Sequence, residues 1–250
     1  MASRFSRYRK GLSFFDALNF YRQRKSKKDS YVSLSFLKHP VFLRNIRSDE
    51  LMFEQLFISK DYAVNVPFEP ETIIDLGANV GFASIYFANR FPNSRIIALE
   101  PETANFQAAQ KNVQPYKNIQ LLHAAVWNKE MEVDVVDNGY GEAAFMIEEN
   151  AEIATNKVPA YTIPHLMQMA GAKNHVDIIK MDIEGSEKDL FEFGYEEWLP
   201  NVKLLIVETH DRYKPGCSNA LFKAVGKYDF SLELSGENMI LYNNQLCKAY

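Results

Sequence analysis

Residues 73–91, IIDLGANVGFASIYFANRF, decide the fold class of this chain. An apolar run that ends in an acid predicts a strand over Thr72–Leu76. The apolar residues after it recur at helical spacing and predict a helix over Val80–Phe91, with Gly77 and Gly81 in the turn between. A strand, a glycine turn and a helix start leave backbone N–H groups free, which is typical of a nucleotide-binding loop.

Strand-like and helix-like segments alternate from residue 70 onward. This alternation predicts an α/β fold with a parallel sheet covered by helices on both faces. The segment YDFSLELSGENMILYNN, residues 228–244, predicts a hairpin around Ser235-Gly236 that adds an antiparallel strand. Strands are predicted at Thr72–Leu76, Arg95–Leu99, Ile119–Val126, Val176–Met181 and Lys203–Glu208, and helices at Val80–Phe91, Thr103–Val113, Ser186–Phe193 and Asn219–Gly226.

Two segments depart from the alternation. Within residues 129–159, MEVDVVDNG and GEAAFMIEE predict short strands joined by a turn at Asn138-Gly139. Residues 29–62 predict a small hairpin turning at His39-Pro40, followed by a helix that leads into the main domain. We therefore divide the chain into an extension at 1–62, which could cover the open end of the sheet, and a main domain at 63–250.

Charge is distributed unevenly along the 250 residues. The formal net charge is −4, yet residues 1–48 alone carry +10. We expect this basic arm to be solvated, partly helical and packed on the main domain or on a second subunit. Contact with an anionic membrane and a homodimer are left open. Nucleic acid is disfavoured as a partner because the rest of the chain is acidic and would repel phosphates.

The chain has two cysteines, Cys217 and Cys247, too few for a disulfide framework or a zinc site. No apolar run approaches the ~20 residues needed to span a bilayer. Asp16 interrupts the apolar stretch near the N-terminus, and no small-residue cleavage site follows it, which argues against a signal peptide. We therefore expect a soluble, cytoplasmic protein.

The glycine loop departs from the dinucleotide fingerprint Gly-x-Gly-x-x-Gly. Counted from Gly77, the second and third glycines of that pattern fall on Asn79 and Phe82. A side chain at the middle position keeps a pyrophosphate from resting on the backbone. The pattern present is Asp75-x-Gly77-x-x-x-Gly81, which disfavours an NAD(P)-dependent oxidoreductase.

Acids at the ends of the first two strands indicate what kind of ligand the loop could hold. Asp75 could lie near a ligand ammonium, while the Gly77–Gly81 backbone passes close to a carboxylate and a ribose. S-adenosylmethionine (SAM) is such a ligand. Glu100 closes the second strand, where a carboxylate can accept hydrogen bonds from both ribose hydroxyls. NAD enzymes place an acid there too, so Glu100 supports a ribose without choosing between the cofactors.

A second acidic segment, IIKMDIEGSEKDLF at residues 178–191, repeats the order of strand, acid, glycine and helix start. Its Glu187 is expected to be a solvated first-turn residue that favours the helix dipole. The next strand ends in LLIVETH at the same rim of the sheet. Because the ends of both strands meet beside the cofactor loop, we expect a functional group there. Its members are Asp182, Glu184, Glu208 and His210.

Together these motifs resemble the FkbM family of SAM-dependent methyltransferases. The resemblance runs from about Tyr62 to Tyr242, and DIEGSE at 182–187 is its most specific part. It implies a Rossmann-like class I methyltransferase fold, a seven-stranded, mostly parallel sheet with an antiparallel terminal strand. It also implies methyl transfer, usually to a hydroxyl of a sugar, a glycan or glycolipid, or another small natural product. The motifs that carry it are IIDLGANVGFASIYFANRF, IIALEPETANFQAAQKNV, LLHAAVWNKE, VDIIKMDIEGSEKDLF and LLIVETH.

The resemblance also implies roles for particular residues, with the adenine placed against His123–Val126. Methylation of an alcohol needs a general base within hydrogen-bond reach. His210 is the first candidate, with a pKa suited to neutral pH. Asp182 or Glu184 could serve instead. The residues implied to bind the cofactor are Asp75, Gly77, Ala78, Asn79, Gly81, Glu100, Ala125 and Asp182.

Two further alternatives are left open. Asp182, Glu208 and His210 could hold a divalent cation that polarises the acceptor hydroxyl. Nothing in their spacing demands a metal, so none is predicted. The chain could also be a non-catalytic module of the same fold that acts through its basic arm.

Overall fold

A seven-stranded sheet with helices on both faces is the centre of the structure, a computed structural model that describes residues 4–137, 145–148 and 156–247. The strands are β1 (Ser30–Val32), β2 (Val41–Leu43), β3 (Thr72–Leu76), β4 (Arg95–Leu99), β5 (Ile119–Leu122), β6 (Ala125–Val126), β7 (Met131–Asp137), β8 (Phe145–Glu148), β9 (Asn156–Tyr161), β10 (Val176–Met181), β11 (Val202–Val207), β12 (Phe230–Ser235) and β13 (Asn238–Asn243). The helices are α1 (Arg4–Tyr8), α2 (Phe14–Lys25), α3 (Arg47–Phe53), α4 (Phe82–Arg90), α5 (Thr103–Val113), α6 (Ile163–Ala170), α7 (Glu187–Glu192) and α8 (Cys217–Val225). A π-helical segment, Glu54–Ser59, continues α3, and two 3₁₀ turns lie at Tyr195–Glu197 and Leu199–Asn201.

The order of the central sheet is β12-β13-β11-β10-β3-β4-β5. Strands β3, β4, β5, β10 and β11 run parallel, and β13 runs antiparallel to both of its neighbours. This confirms the predicted class I methyltransferase fold, including the antiparallel terminal strand. The chain leaves β3 first to one side and later to the other, so a topological switch point lies between β3 and β10. In open α/β sheets, ligands bind beyond the carboxyl ends of the strands at such a point.

Strand β3 shows how the sheet is covered on both faces. Successive side chains of a strand point to opposite faces. Ile73 accordingly packs in the cluster formed with α4 and α5, while its neighbour Ile74 packs in the cluster formed with α6 and α8. Both isoleucines are fully buried. This two-sided burial explains why the parallel strands are almost continuously apolar.

The N-terminal residues pack on the α4 face of the sheet. Phe20 of α2 stacks on Phe53 of α3, with ring centroids 4.0 Å apart, and Phe53 meets Phe82 of α4 edge-on at 6.1 Å. Strands β1 and β2 form the expected antiparallel hairpin, although the connection covers residues 33–40 and only ends at His39-Pro40. The division of the chain at residue 62 stays a prediction.

A second, four-stranded sheet has the order β6-β9-β7-β8. The single strand predicted over Ile119–Val126 is wrong, because the chain leaves the central sheet after Leu122 and enters the second sheet at Ala125. His123 lies at this break, where its ring stacks on Phe106 at 4.6 Å. The turn predicted at Asn138-Gly139 lies outside the described residues.

The other helix and strand bounds predicted for the alternating segments agree with the structure to within two residues at each end. The strand predicted from GEAAFMIEE lies partly outside the described residues. The helix predicted from Val80 begins at Phe82, because Gly81 takes a left-handed conformation (φ +81°) as its N-cap. Across the part of the chain that the structure describes, no helix has the length and apolar character needed to cross a membrane.

Candidate active site

A cleft opens at the carboxyl ends of β3, β4 and β10, at the switch point of the sheet. About 560 Å³ of space, which includes open solvent at the mouth, lies between its walls. Predicted site residues from four separate stretches of sequence line it. Those are Gly77, Asn79, Glu100, Ala125, Asp182 and Glu184. Four other predicted residues, Asp75, Ala78, Gly81 and His210, do not line the cleft and lie behind its wall.

The glycine loop is held close to the second acidic segment. Gly77 has φ +75°, and a Cβ atom at this position would lie 1.8 Å from the carbonyl oxygen of Asp182. No residue with a side chain could occupy that space without moving the backbone. The backbone N–H of Asp182 in turn donates to the carbonyl of Leu76, at 3.1 Å. The two segments that the sequence singled out are therefore one connected wall of the cleft.

Glu100 is fixed by the loop that it faces. The backbone N–H of Asn79 donates to its Oε2 at 2.7 Å, and the backbone N–H of Glu102 donates to its Oε1 at 2.9 Å. Burial raises the pKa of Glu100 to about 7, although these two hydrogen bonds act in the opposite direction. Each carboxylate oxygen has a further lone pair, so Glu100 can still accept hydrogen bonds from a ligand in the cleft.

Asp75 is placed differently from the expectation that it lies near a ligand ammonium. Its side chain is fully buried, and the hydroxyl of Ser84 donates to its Oδ2 at 2.6 Å. The ammonium beside it is that of Lys180, whose Nζ lies 3.3 Å from Asp75 Oδ1. The two residues are register partners on β3 and β10. Asp75 therefore acts beneath the loop, through Lys180.

Lys180 is a residue of the site that the sequence reading passed over as part of a buried strand. Its Nζ donates to the carbonyl of Gly77 at 2.6 Å and lies 3.7 Å from Asp182 Oδ2. Burial alone would lower the pKa of Lys180, but Asp75 and the other nearby anions raise it above its usual value. The charged form of Lys180 is thus favoured. Its ammonium contacts the glycine loop at Gly77 and lies near the carboxylates of Asp75 and Asp182. A lysine between the apolar residues Ile179 and Met181 of the strand was the available signal.

His210 is surrounded by carboxylates. Its Nδ1 lies 2.8 Å from Glu187 Oε1. Its Nε2 lies 3.5 Å from Asp182 Oδ1 and 3.4 Å from carboxylate oxygens of Glu184 and Glu208. Burial would lower the pKa of His210, but Glu187 and the other carboxylates raise it to about 11. That pKa lies above the value suited to neutral pH that the sequence predicted. The carboxylates favour the protonated ring, which in that form has no free lone pair to act as a base.

Glu187 is not the solvated residue that the sequence suggested. It is fully buried, and its carboxylate accepts backbone N–H groups from Ile183 at 3.2 Å and Gly185 at 2.9 Å. The turn before α7 folds back over this carboxylate, so the first-turn position faces inward. Glu187 consequently fixes both the turn and the ring of His210.

Glu184 projects into the cleft from the same turn. Its backbone has φ +53°, a left-handed conformation that is uncommon for a residue other than glycine. Its Oε2 is buried and has no hydrogen-bond partner. Burial and the neighbouring Asp182 raise its pKa to about 8.

Residues 75–229, more than half of the chain, match the family model described as the methyltransferase FkbM domain. The chain belongs to the FkbM methyltransferase family. This membership makes it a methyltransferase of the SAM-dependent class, as the sequence motifs implied.

Two curated proteins similar to this FkbM-family chain illustrate its relatives. Methyltransferase 1 of Beauveria bassiana is 23% identical over 186 residues, which cover 65% of this chain and 74% of that protein. The AMB antimetabolite synthetase AmbE of Pseudomonas aeruginosa is 20% identical over 244 residues. That match covers 81% of this chain but 12% of the synthetase, so the chain spans only a small part of that relative's length.

Solved structures similar to the FkbM-family chain include an rRNA methylase from Streptococcus thermophilus. It has a TM-score of 0.45 and 10% identity, with 76% of this chain and 96% of that chain covered. Fibrillarin from Aeropyrum pernix, solved with natively bound SAM, has a TM-score of 0.40 and 13% identity, with 72% and 69% covered. These scores are low, and the fold assignment rests on the strand order described above.

The cleft of this FkbM-family chain fits SAM in the chemistry of its walls. Glu100 brings to the cleft a carboxylate able to accept hydrogen bonds from hydroxyls such as those of a ribose, and Ala124–Val126 with Leu99 form an apolar wall suited to an adenine ring. The bare backbone at Gly77 lets a ligand approach closely. Asp182 and Glu184 bring carboxylates to the same cleft.

Proposed function

We propose that this chain is a SAM-dependent O-methyltransferase whose acceptor is a hydroxyl of a sugar, a glycan or glycolipid, or another small natural product. One observation carries the proposal: a single cleft joins a carboxylate suited to a ribose, Glu100, to two further carboxylates, Asp182 and Glu184. The first suits a nucleoside cofactor, and the other two suit an acceptor that must lose a proton.

The proposed binding of SAM uses the wall around the switch point. Glu100 accepts the ribose hydroxyls, and the backbone of the Gly77–Gly81 loop lies along the methionine end. Ala125 contacts the adenine. When bound, SAM supplies a methyl group on a sulfonium, so the chief task of these residues is to hold the reacting atoms in line.

The proposed reaction forms a bond between the acceptor oxygen and the methyl carbon as the carbon–sulfur bond breaks. The electron pair of that bond stays on sulfur, which leaves S-adenosylhomocysteine. The acceptor hydroxyl must also lose its proton, and Asp182 and Glu184 are the carboxylates that line the cleft to receive it. His210 lies behind them, with Nε2 3.5 Å from Asp182 and 3.4 Å from Glu184, and keeps these carboxylates in position.

The setting of the enzyme is also a proposal. Cys217 and Cys247 are both free and buried, which suits the reducing cytoplasm. Contact of the basic N-terminal arm with an anionic membrane, and a homodimer, stay predictions.

The proposed function is tested by incubating the chain with methyl-labelled SAM and a panel of hydroxylated sugars, glycolipids and matched amines. We expect label on a hydroxyl-bearing acceptor and about a 100-fold or larger loss of turnover when Asp182 and Glu184 are replaced together by their amides, since general-base catalysis contributes on that order. Label on amines alone, or full turnover in the double variant, would contradict the proposal.

A further inference from the structure

The Nε2 atom of His210 faces three carboxylates without forming a normal hydrogen bond to any of them. Its distances to oxygens of Asp182, Glu184 and Glu208 are 3.5, 3.4 and 3.4 Å. Hydrogen bonds from a ring nitrogen to an oxygen span about 2.7–3.2 Å. The His210 side chain is only 2% exposed, so water cannot surround this nitrogen. The space between these four side chains is lined by Nε2 and by carboxylate oxygens.

The distances around this space are those of ligands around one ion. Bonds of roughly 2.0–2.2 Å place neighbouring ligand atoms about 3.0 Å apart in an octahedron and about 3.4 Å apart in a tetrahedron. Nε2 of His210 lies 3.5 Å from Asp182 and 3.4 Å from Glu208. One ligand atom from each of these three residues lies within 4.8 Å of the other two. Small side-chain movements would bring all three onto one cation.

Glu184 adds a further carboxyl group beside Nε2 of His210. Its Oε2 is buried, has no hydrogen-bond partner, and lies 3.4 Å from Nε2 of His210. A buried carboxylate oxygen without a donor is unfavourable unless a cation lies near it. Among the side chains joined to one another here, carboxyl groups outnumber basic groups. The carboxyl groups are Asp75, Asp182, Glu184, Glu187 and Glu208, and the basic groups are Lys180 and His210.

The other ring nitrogen of His210 is bound as it is in metal sites. A histidine that ligates a metal nearly always donates its second N–H to a carboxylate or carbonyl, which fixes the ring and its tautomer. Here Nδ1 lies 2.8 Å from Glu187, whose carboxylate is itself held by the backbone N–H groups of Ile183 and Gly185. The ring is therefore fixed with Nε2 directed at Asp182 and Glu208.

We propose that Asp182, Glu208 and His210 form a binding site for one divalent cation of the Mn²⁺ and Mg²⁺ class. Two carboxylates and one imidazole that gives up its Nε2 proton on binding are a ligand set suited to such ions. Three protein ligands leave coordination positions open toward the cleft that Asp182 lines. Glu184 is not one of the three and stays available beside them.

The role of this cation rests on the function proposed above, although its binding does not. A divalent cation polarises an acceptor hydroxyl that binds at one of its open coordination positions, and so lowers the pKa of that hydroxyl. The hydroxyl proton then passes to Glu184, while Asp182 is occupied as a ligand. Asp182 is then a ligand of the cation and Glu184 is the proton acceptor. Their shared position in the cleft does not by itself distinguish these two roles.

The test titrates Mn²⁺ into the chelator-treated full chain and follows free Mn²⁺ by electron paramagnetic resonance. We expect one saturable site that Mg²⁺ displaces, and at least about tenfold weaker binding in Glu208→Gln. Glu187→Gln, which removes the carboxylate behind the ring, should weaken binding about 10–100-fold. Glu192→Gln removes an exposed carboxylate from the same helix and should bind Mn²⁺ as the unmodified chain does.

Two further measurements keep the outcome decisive. Nitrogen coupling in the electron spin-echo modulation of bound Mn²⁺ reports an imidazole ligand without any substitution. S-adenosylhomocysteine binding, measured on the same samples, separates this proposal from the proposed function. Absence of a saturable Mn²⁺ site, of nitrogen coupling, or of any effect in a folded Glu208→Gln variant would overturn the cation site. If the unmodified chain binds Mn²⁺ but does not bind S-adenosylhomocysteine, the proposed function is overturned and the cation site is not.

Discussion

At the scale of single residues, the pair Lys180 and Asp75 decides how the glycine loop is held. The two side chains are register partners on adjacent parallel strands, and both are almost completely buried. Their separation in sequence is 105 positions, so no local pattern could have predicted the pair. Only the strand order of the folded sheet brings them together.

Replacement of Lys180 by Met leaves the Asp75 charge buried without its partner. We expect a loss of about 3–5 kcal/mol in the free energy of unfolding, the usual effect of breaking a buried ion pair from one side. Urea denaturation measures this loss. The double variant Lys180→Met with Asp75→Asn should recover part of it, because the uncompensated charge is gone. Equal stability of the single variant and the unmodified chain would show that the pair contributes nothing.

The residues around His210 show where sequence reasoning about a site stops. The motifs DIEGSE and ETH correctly indicated that acids and a histidine meet at one rim of the sheet. They could not show that Glu187 points inward, because an amphipathic first turn accommodates a glutamate on either side. The pKa of His210 depends on how many carboxylates face its ring, and that number is a property of the folded turn.

At the scale of elements, the turn between β3 and α4 needs a glycine because another segment of backbone packs directly against it, and not only because of its backbone conformation. Gly77 and Gly194 have nearly equal φ values, +75° and +74°. A Cβ atom at Gly77 would lie 1.8 Å from the Asp182 carbonyl, whereas one at Gly194 would have no atom within 4 Å. A side chain at Gly194 would therefore cause backbone strain alone, whereas one at Gly77 would also overlap a neighbouring segment.

Alanine at each glycine tests this distinction. Gly194→Ala should lower the free energy of unfolding by about 1–2 kcal/mol, the strain of a left-handed residue. Gly77→Ala should lower it by more than ~3 kcal/mol, since it adds an overlap with backbone in a packed region. Thermal or urea unfolding of both variants gives the difference. Equal losses would mean that the loop and the segment at Asp182 can move apart.

The alternation of elements was readable from sequence because the inner strands β3, β4, β10 and β11 are buried on both faces, whereas the helices between them are buried on one. The break between β5 and β6 was not, because Ile119–Leu122 and Ala125–Val126 are both apolar and are joined without a glycine or proline. Continuous apolar residues predict burial, but they do not say in which sheet the burial occurs.

At the scale of the whole molecule, the N-terminal helices belong to the hydrophobic core. Phe20 and Phe15 lie on the same helix, α2, yet Phe20 is fully buried and Phe15 is 81% exposed. Basic residues on the solvent side of this segment gave the arm its charge, and its aromatic residues attach it to α4.

Alanine at these two phenylalanines measures how much the arm stabilises the fold. Phe20→Ala should lower the free energy of unfolding by about 3–5 kcal/mol, because it removes a large side chain from the core. Phe15→Ala on the same helix should change it by less than ~0.5 kcal/mol. A single cooperative transition monitored by urea denaturation would give both values. A negligible effect of Phe20→Ala would show that the arm packs without stabilising the sheet.

The cofactor proposal is tested most directly by isothermal calorimetry with S-adenosylhomocysteine at pH 8, where Glu100 is ionised. We predict one binding site, no binding of NAD⁺ or NADP⁺, and affinity about 10–100-fold weaker in Glu100→Gln, as expected for one lost hydrogen bond to a charged group. Glu71→Gln, an exposed substitution at the opposite end of the sheet, should bind as tightly as the unmodified chain. Binding of NAD⁺ in place of S-adenosylhomocysteine, or unchanged affinity in Glu100→Gln, would contradict the account.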